Sequence, residues 1–220
     1  YAINRDSEFR VGYEIAEQKL VPINGDSSLY GSLKGRVGAT SVRYTYIGRD
    51  DPVVPRKGLD LQIKGQWYDA NPGAPAGFPV AESQMTYFKP VSKPGSMFFG
   101  ADGGTTFTYH QTGFPPFALG GNQNLLAYGT NEFLIDQYYL FKAGYIHRIL
   151  TLPLIVGDKM YAIGGYEVAK VYGLPSTTSS VPTDGYAGIL VNTFIGPILL
   201  GGSYGATGHH NVFFRLGRVF

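Results

Sequence analysis

The stretch N-V-F-F-R-L-G-R-V-F, from Asn211 to Phe220, decides the fold. Side chains of an extended strand alternate between two faces, so Val212, Phe214, Leu216 and Phe220 share one face. The opposite face carries a mixture of aromatic, charged and glycine residues. A two-faced strand with an aromatic last residue is typical of a β-barrel in an outer membrane. The final strand of a soluble β-sandwich is the alternative that this stretch leaves open.

The composition favours the membrane alternative. Of the 220 residues, 15% are charged, against about 25% in ordinary soluble domains. Aromatic residues also make up 15% of the chain, yet the mean hydropathy is close to neutral. Strands that alternate between lipid on one side and a polar lumen on the other reconcile these two observations.

Several classes of protein are excluded. The longest apolar stretch, Ile149 to Val156, contains Pro153 and is far shorter than the roughly 20 residues of a membrane-spanning helix. A net charge of +2 without a basic run argues against a nucleic-acid partner. With no cysteine, the chain has neither a disulfide framework nor a thiol nucleophile. Tyr1 is not an initiating residue, so we expect a mature or trimmed fragment.

Alternating segments recur without a domain break, and they predict an all-β, antiparallel transmembrane barrel over residues 1–220, with about ten strands. In the clearest segment, Leu59 to Tyr68, Leu61 and Ile63 share one face while Gln62 and Lys64 share the other. The predicted strands are Ser7–Glu14, Arg36–Ile47, Leu59–Tyr68, Val80–Val91, Ser96–His110, Asp136–Leu150, Lys159–Tyr172, Tyr186–Ile195, Pro197–Ala206 and Val212–Phe220.

Charged residues on these strands fall opposite the apolar faces, which predicts a charged lumen wall. The predicted wall residues are Arg10, Arg43, Lys64, Asp102, Lys142, Glu167 and Arg215. Linkers are tight at 92–95 and 195–197 but longer and polar at 71–79 and 174–184, as in barrels with short turns at one end. Aromatic residues near strand ends predict interfacial girdles. They are Tyr44, Tyr46, Trp67, Tyr68, Tyr138, Tyr139 and Tyr172.

Catalytic patterns are nearly absent. Gly201 to Gly205 has the spacing of a nucleophile elbow around Ser203, but such an elbow needs a strand-to-helix turn, and the flanking residues predict a strand. His209 and His210 are adjacent and cannot aim both rings at one site as a helical pair would. No phosphate loop and no metal-ligand spacing occurs, so we expect no cofactor, no metal and no bond chemistry in this chain.

Five motifs are similar to the outer-membrane assembly and secretion barrels, the superfamily of BamA-like surface-antigen barrels. They are the Arg-Asp and Gly-Tyr strand at 4–14, the Asp-x-Pro-x-x-Pro-x-x-Gly turn ending at Gly58, the Leu-Gly-Gly loop from Leu119 to Phe133, the Gly-Pro-Ile turn at 196–198 and the final Leu-Gly-Arg-Val-Phe. The resemblance covers nearly the whole chain. Within the superfamily, the chain most resembles the C-terminal barrel of bacterial patatin-like phospholipases.

The resemblance implies a long loop, over 117–134, that folds into the barrel. Its implied residues are Gly120, Gly121, Leu126, Tyr128, Gly129 and Glu132. Assembly and secretion members carry an arginine in this loop, which reaches a carboxylate on the lumen wall. Leu126 and Ala127 stand where those members have the arginine and the following glycine. We therefore expect packing and backbone hydrogen bonds to hold the loop, with Tyr128 as an anchor, and we expect the patatin-linked branch rather than an insertase.

Barrels of this superfamily have sixteen strands, so about six are absent from this chain. Two alternatives follow: the chain is the C-terminal portion of a longer protein, or it is a smaller barrel that stands alone. Because open sheet edges do not occur in hydrocarbon, the strands must close on themselves or pair with a second chain. The resemblance also implies insertion by the barrel-assembly machinery, which reads a C-terminal signal at Phe214, Leu216, Gly217 and Phe220.

The function expected from the resemblance is that of a domain in the bacterial outer membrane that contacts membrane lipid. It would anchor, and export, a patatin-like lipase or another passenger. A passive pore lined by the wall charges is one alternative. An outer-membrane hydrolase is the other, with Ser203 and either His209 or His210 as its candidate residues.

Overall fold

The computed structural model describes residues 5–20, 33–107, 113, 115–153, 157–173 and 181–217. The twelve strands in these ranges are β1 (Ser7–Leu20), β2 (Leu33–Ile47), β3 (Gly58–Ala70), β4 (Phe78–Pro90), β5 (Gly95–Thr105), β6 (Phe117–Leu119), β7 (Phe133–Ile135), β8 (Gln137–Thr151), β9 (Lys159–Tyr172), β10 (Thr183–Thr193), β11 (Gly196–Gly205) and β12 (His210–Leu216). A short 3-10 turn, Ala206–Gly208, joins β11 to β12. In the described part of the chain, no helix is long and apolar enough to cross a membrane.

Ten strands form one antiparallel sheet in the order β1-β2-β3-β4-β5-β8-β9-β10-β11-β12. Each strand pairs with its neighbours in the chain, except that β6 and β7 form a separate hairpin between β5 and β8. The strands β1 and β12 are the two edges of the sheet in the described residues. The prediction of an all-β antiparallel structure is confirmed.

Two kinds of connection lie at opposite ends of the sheet. The described segments 48–57, 91–94, 152–153, 157–158 and 194–195 lie at one end, here called the turn end. The other end, the loop end, carries the described segments 71–77, 106–107, 115–136, 181–182 and 206–209. At the turn end, Asp50 Oδ1 accepts hydrogen bonds from the backbone amides of Arg56, at 2.9 Å, and Lys57, at 3.1 Å, which hold segment 48–57 in a compact turn.

The sheet has one apolar, exposed face, here called the apolar face. Ile63 is 48% exposed and Trp67 is 53% exposed on β3, and Val212 reaches 79% on β12. Lys64 and Gln66 lie on the opposite face and are only partly exposed. Large apolar side chains that stand free of a core are what a lipid environment requires.

The opposite face, here called the polar face, is covered by the chain's own segments. Two clusters of buried side chains lie on it. The first includes Phe117, Phe133 and Tyr138, and it joins the 117–135 segment to β8. The second places Val54, from the turn at 48–57, together with Leu126 and residues of the sheet. Segments from both ends therefore fold onto this face.

Two girdle predictions are wrong. Tyr138 is 3% exposed and makes an edge-on ring contact with Phe117 at 5.3 Å. Tyr68 stacks on Phe78 at 5.1 Å and packs against the first cluster. Both tyrosines fall on the polar face because they alternate with the neighbouring apolar-face residues Trp67 and Tyr139. Proximity to a strand end does not determine the face; the period of two does.

Candidate functional site

Strand register brings the predicted wall residues to the polar face. Arg10, Arg43 and Lys64 lie directly opposite one another on β1, β2 and β3, and Glu82 continues the row on β4. A second row runs from Lys142 on β8 to Glu167 on β9 and Asp184 on β10.

The remaining two wall residues share this face by their spacing. Asp102 lies on β5 two residues from Gly100, which is the cross-strand partner of Lys142. Arg215 lies opposite Leu199 on β11, and Leu199 lies opposite Leu190 on β10. Leu190 is six residues from Asp184, an even number, so all of these residues share the polar face.

Ion pairs link some of these charges within the face. The ammonium of Lys142 lies 2.9 Å from Asp102 Oδ2, and both side chains are largely shielded from solvent. Arg10 Nε lies 2.7 Å from Glu8 Oε1 in an exposed pair. The cation of Lys142 thus lies between Asp102 on one neighbouring strand and Glu167 on the other.

The segment 117–135 lies on the polar face and is here called the docked loop. It begins and ends with the β6–β7 hairpin, and its interior is held by its own side chains. Gly120 N donates to Asn124 Oδ1 at 3.0 Å, and Gly129 N donates to Glu132 Oε2 at 2.7 Å. Gly120 and Gly121 have φ values of +101° and +102°, a backbone conformation in which glycine is the favoured residue.

Three consecutive residues of the docked loop bind the wall through their backbone. Leu125 N donates to Glu167 Oε2, and Ala127 N donates to Asp184 Oδ2 at 2.8 Å. Between them, the carbonyl oxygen of Leu126 accepts a hydrogen bond from Asn211 Nδ2 at 3.3 Å. Two wall carboxylates therefore bind loop amides, so no loop arginine is needed.

Tyr128 is the principal aromatic residue of the docked loop. Its side chain is 3% exposed, and its hydroxyl donates to the carbonyl oxygen of Thr183 at 3.3 Å. The ring lies 5.1 Å from Phe133 and 4.6 Å from the imidazole of His209, measured between ring centroids. Burial raises the pKa of the Tyr128 phenol above its usual range, so the hydroxyl remains a donor.

The loop end adds one more contact between the docked loop and the sheet. His209 Nε2 lies 3.3 Å from Glu132 Oε1, so the β11–β12 connection joins the loop near its C-terminal side. This connection also lies close to the loop backbone. A Cβ atom on Gly205 would lie 3.0 Å from the Cβ of Ala127, which is tighter than ordinary contact.

A polar cavity of about 470 Å³ lies between the docked loop and the sheet. Gln123 and Asn124 of the loop line one side, and Lys142, Glu167 and Arg215 line the wall. Amide and charged groups of both signs face this space. Apolar side chains line the space to about the same extent, so it suits water or a small molecule with both polar and apolar parts.

The candidate hydrolase residues do not form a catalytic pair. Ser203 Oγ donates to the carbonyl oxygen of Asn211 at 3.4 Å. The imidazole of His209 contacts Glu132 and Ala206, and His210 Nδ1 lies 3.0 Å from the carbonyl oxygen of Gly208. Across the residues with described positions, no three His, Cys, Asp or Glu side chains group together as metal ligands would.

The C-terminal strand places two of the predicted signal residues, Phe214 and Leu216, on the apolar face. Phe214 is 60% exposed and Leu216 is 54% exposed. Gly217 follows the strand with a φ of +101°, and its amide donates to the carbonyl oxygen of Pro197 at 2.9 Å. Phe220 lies outside the described residues.

The sequence profile of the OMP85 superfamily matches residues 28–220. Because this match covers most of the chain, the protein belongs to the OMP85 superfamily and is a β-barrel of the bacterial outer membrane. The apolar face of the sheet is accordingly its lipid side, and the polar face is its lumen side. No curated protein sequence matches the chain.

Asp184 and Asn211 are not among the site residues predicted from the sequence, although the docked loop binds both. Asp184 falls in the predicted linker 174–184, two residues before the predicted strand Tyr186–Ile195. In the structure it belongs to β10 and lies directly opposite Glu167. The hydrogen bonds themselves have no sequence signal, because a backbone amide is common to every residue except proline.

Proposed function

We propose that this barrel is the C-terminal membrane domain of a longer protein, over residues 1–220, and that it anchors and exports an attached passenger. A patatin-like lipase is the passenger that the motifs favour. The support comes from Leu126 and Ala127, which stand where assembly and secretion members have an arginine and a glycine. A loop held by backbone amides lacks the buried cation of those members.

The observation that carries this proposal is the filled lumen side. The docked loop enters from the loop end, and Val54 enters from the turn end into the cluster that also contains Leu126. A lumen side filled by two apolar clusters suits an anchor better than an open channel. The export part of the proposal rests on the resemblance to the secretion barrels.

The test uses the full-length protein with its native upstream segment, expressed in a Gram-negative host. We expect lipase activity to fractionate with the outer membrane, and protease added to intact cells to remove it. A version that lacks residues 183–217 should leave the passenger inside the cell, because β10, β11 and β12 are then missing. An upstream segment without lipase activity, or a passenger that protease never reaches, would contradict the proposal.

The polar cavity supports a second candidate function, that of a passive pore for small polar solutes. Conductance in planar bilayers separates the two functions. An anchor should conduct little until residues 120–132 are replaced by a short glycine-serine linker. A pore should conduct in the wild type, and the replacement should change its conductance much less.

A further inference from the structure

The apolar face contains a groove of about 610 Å³ between β4, β5 and β8. Its floor is formed by two alanines. Ala143 lies directly between Phe99 and Tyr166 in the strand register, and Ala101 lies next to Phe141. The face is indented at this place because two aromatic rings flank Ala143 and because Met85 and Phe141 flank Ala101 on the neighbouring strands. Its lining comes from two successive rows of the strand register and reaches from β3 to β9, so the groove crosses the strands, and it has almost no polar lining.

Lysines lie at the turn end of this groove. Tyr87 lines the groove, and Lys89 follows it by two residues on the same face of β4, about 7 Å further along the strand. Lys57 precedes Gly58, which lies opposite Phe88, so Lys57 and Lys89 are at the same level of the sheet. Lys93 follows in the turn between β4 and β5. All three are exposed.

These three lysines have no ion-pair partner among the described residues. The nearby acids of the turn are occupied by the backbone. Asp51 Oδ1 accepts from Val53 N at 2.7 Å, and Asp50 Oδ1 accepts from Arg56 N at 2.9 Å. A group of exposed cations at the end of an apolar groove is therefore open to an anion from outside the protein.

We propose that the groove and its lysines form a binding site for an anionic glycerophospholipid. One acyl chain lies over Ala101 and Ala143, between the aromatic rings, and the phosphate lies between Lys57 and Lys89. Charge complementarity selects this occupant over a neutral lipid, because each lysine near an anionic surface contributes a preference of roughly fivefold. The apolar groove selects it over a free phosphate, which has nothing to place there. The site is independent of the passenger.

The test measures lipids retained by the purified full-length protein. The protein is reconstituted in nanodiscs of equal parts phosphatidylglycerol and phosphatidylcholine, released, and analysed by native mass spectrometry. We expect the wild type to retain phosphatidylglycerol preferentially. The double variant Lys57→Gln/Lys89→Gln should lose this preference by on the order of twentyfold. Ala143→Phe, which fills the groove, should lose the bound lipid while all lysines remain.

The matched control is Lys19→Gln/Lys34→Gln. These two lysines are also exposed and directly opposite each other, but they lie at the loop end of β1 and β2. The control should retain phosphatidylglycerol like the wild type. Heat-modifiable migration on gels shows that each variant is folded. Equal retention of both lipids by the wild type, or unchanged phosphatidylglycerol retention in either site variant, would overturn the proposal.

Discussion

Single residues decide how the docked loop is held. Glu167 and Asp184 are 3% and 1% exposed, and each accepts a backbone amide of the loop. A carboxylate that binds a backbone amide does not depend on the side chain that the loop residue carries. Leu126 can therefore point into the second apolar cluster while its neighbours are held on both sides.

The Asp184→Ala variant tests this arrangement. It leaves the backbone amide of Ala127 buried without its acceptor. We expect this to lower the free energy of unfolding by about 1–3 kcal/mol. Urea unfolding of the reconstituted barrel measures the loss, and limited proteolysis should cut within 120–132. Asp158→Ala is the control, because Asp158 is in an exposed ion pair with Lys159 at the turn end. Equal stability of the two variants would refute the importance of the amide contact.

Gly205 tests the close approach of the sheet to the loop. A Cβ at this position would meet Ala127 Cβ at 3.0 Å and Tyr128 Cε2 at 3.1 Å, so Gly205→Val should push the loop outward. We expect a loss of about 1–3 kcal/mol by the same unfolding measurement. Gly202→Val is the control on the same strand, since its nearest neighbour would be Asn211 O at 3.7 Å. A Gly205→Val barrel as stable as this control would contradict the contact.

Secondary-structure elements were largely predictable from the sequence. The period of two placed all ten strands of the main sheet because lipid and lumen impose opposite demands on alternate residues. The β6–β7 hairpin was not predicted. Its strands are three residues each, too short for an alternating pattern to be recognised in the sequence. Their position depends on packing, such as that of Phe117 on Tyr138, and not on contact with lipid.

The two faces of β3 give a direct test of the lipid side. Ile63→Arg places a charge on the apolar face next to the middle of the strand, and it should lower the free energy of unfolding by about 2–4 kcal/mol. Gln62→Arg, one residue earlier and on the polar face, lines the polar cavity and should cost much less. The free energy of unfolding in lipid vesicles gives both values. If the cost at Gln62 equals or exceeds that at Ile63, the assignment of the faces is wrong.

The last strand carries a prediction about insertion. The resemblance implies that Phe220 and Gly217 are read by the assembly machinery, and an exposed strand edge can pair with another sheet. Deletion of Phe220 should lower the amount of barrel in the outer membrane much more than its melting temperature. Gly217→Val should also impair insertion, because valine rarely adopts a φ of +101°. A parallel fall in amount and melting temperature would instead mark Phe220 as a girdle residue.

At the scale of the whole molecule, the sheet has a defined orientation in the bilayer. The chain contains a single tryptophan, so tryptophan fluorescence reports the depth of one residue in the bilayer. Trp67 lies near the loop end of β3 and is 53% exposed on the apolar face. We expect lipids brominated near the headgroup to quench its fluorescence more than lipids brominated near the chain terminus.

Aqueous iodide is the control for this measurement. It should quench Trp67 weakly in vesicles and strongly once the barrel is unfolded in urea. Strong iodide quenching of the folded barrel, together with no effect of brominated lipid, would place Trp67 in water and overturn the orientation.

The contacts of the docked loop also determine the order in which parts of the barrel form during folding. Leu125 meets Glu167 at a sequence separation of 42, Ala127 meets Asp184 at 57, and Leu126 meets Asn211 at 85. The neighbouring strands of the meander pair over short stretches and can form early, whereas distant contacts wait for the intervening chain. The loop acquires its last partner only when β12 is in place. Docking of the loop therefore marks the completion of the sheet, and a barrel stalled before its last strand would expose residues 120–132 to proteases.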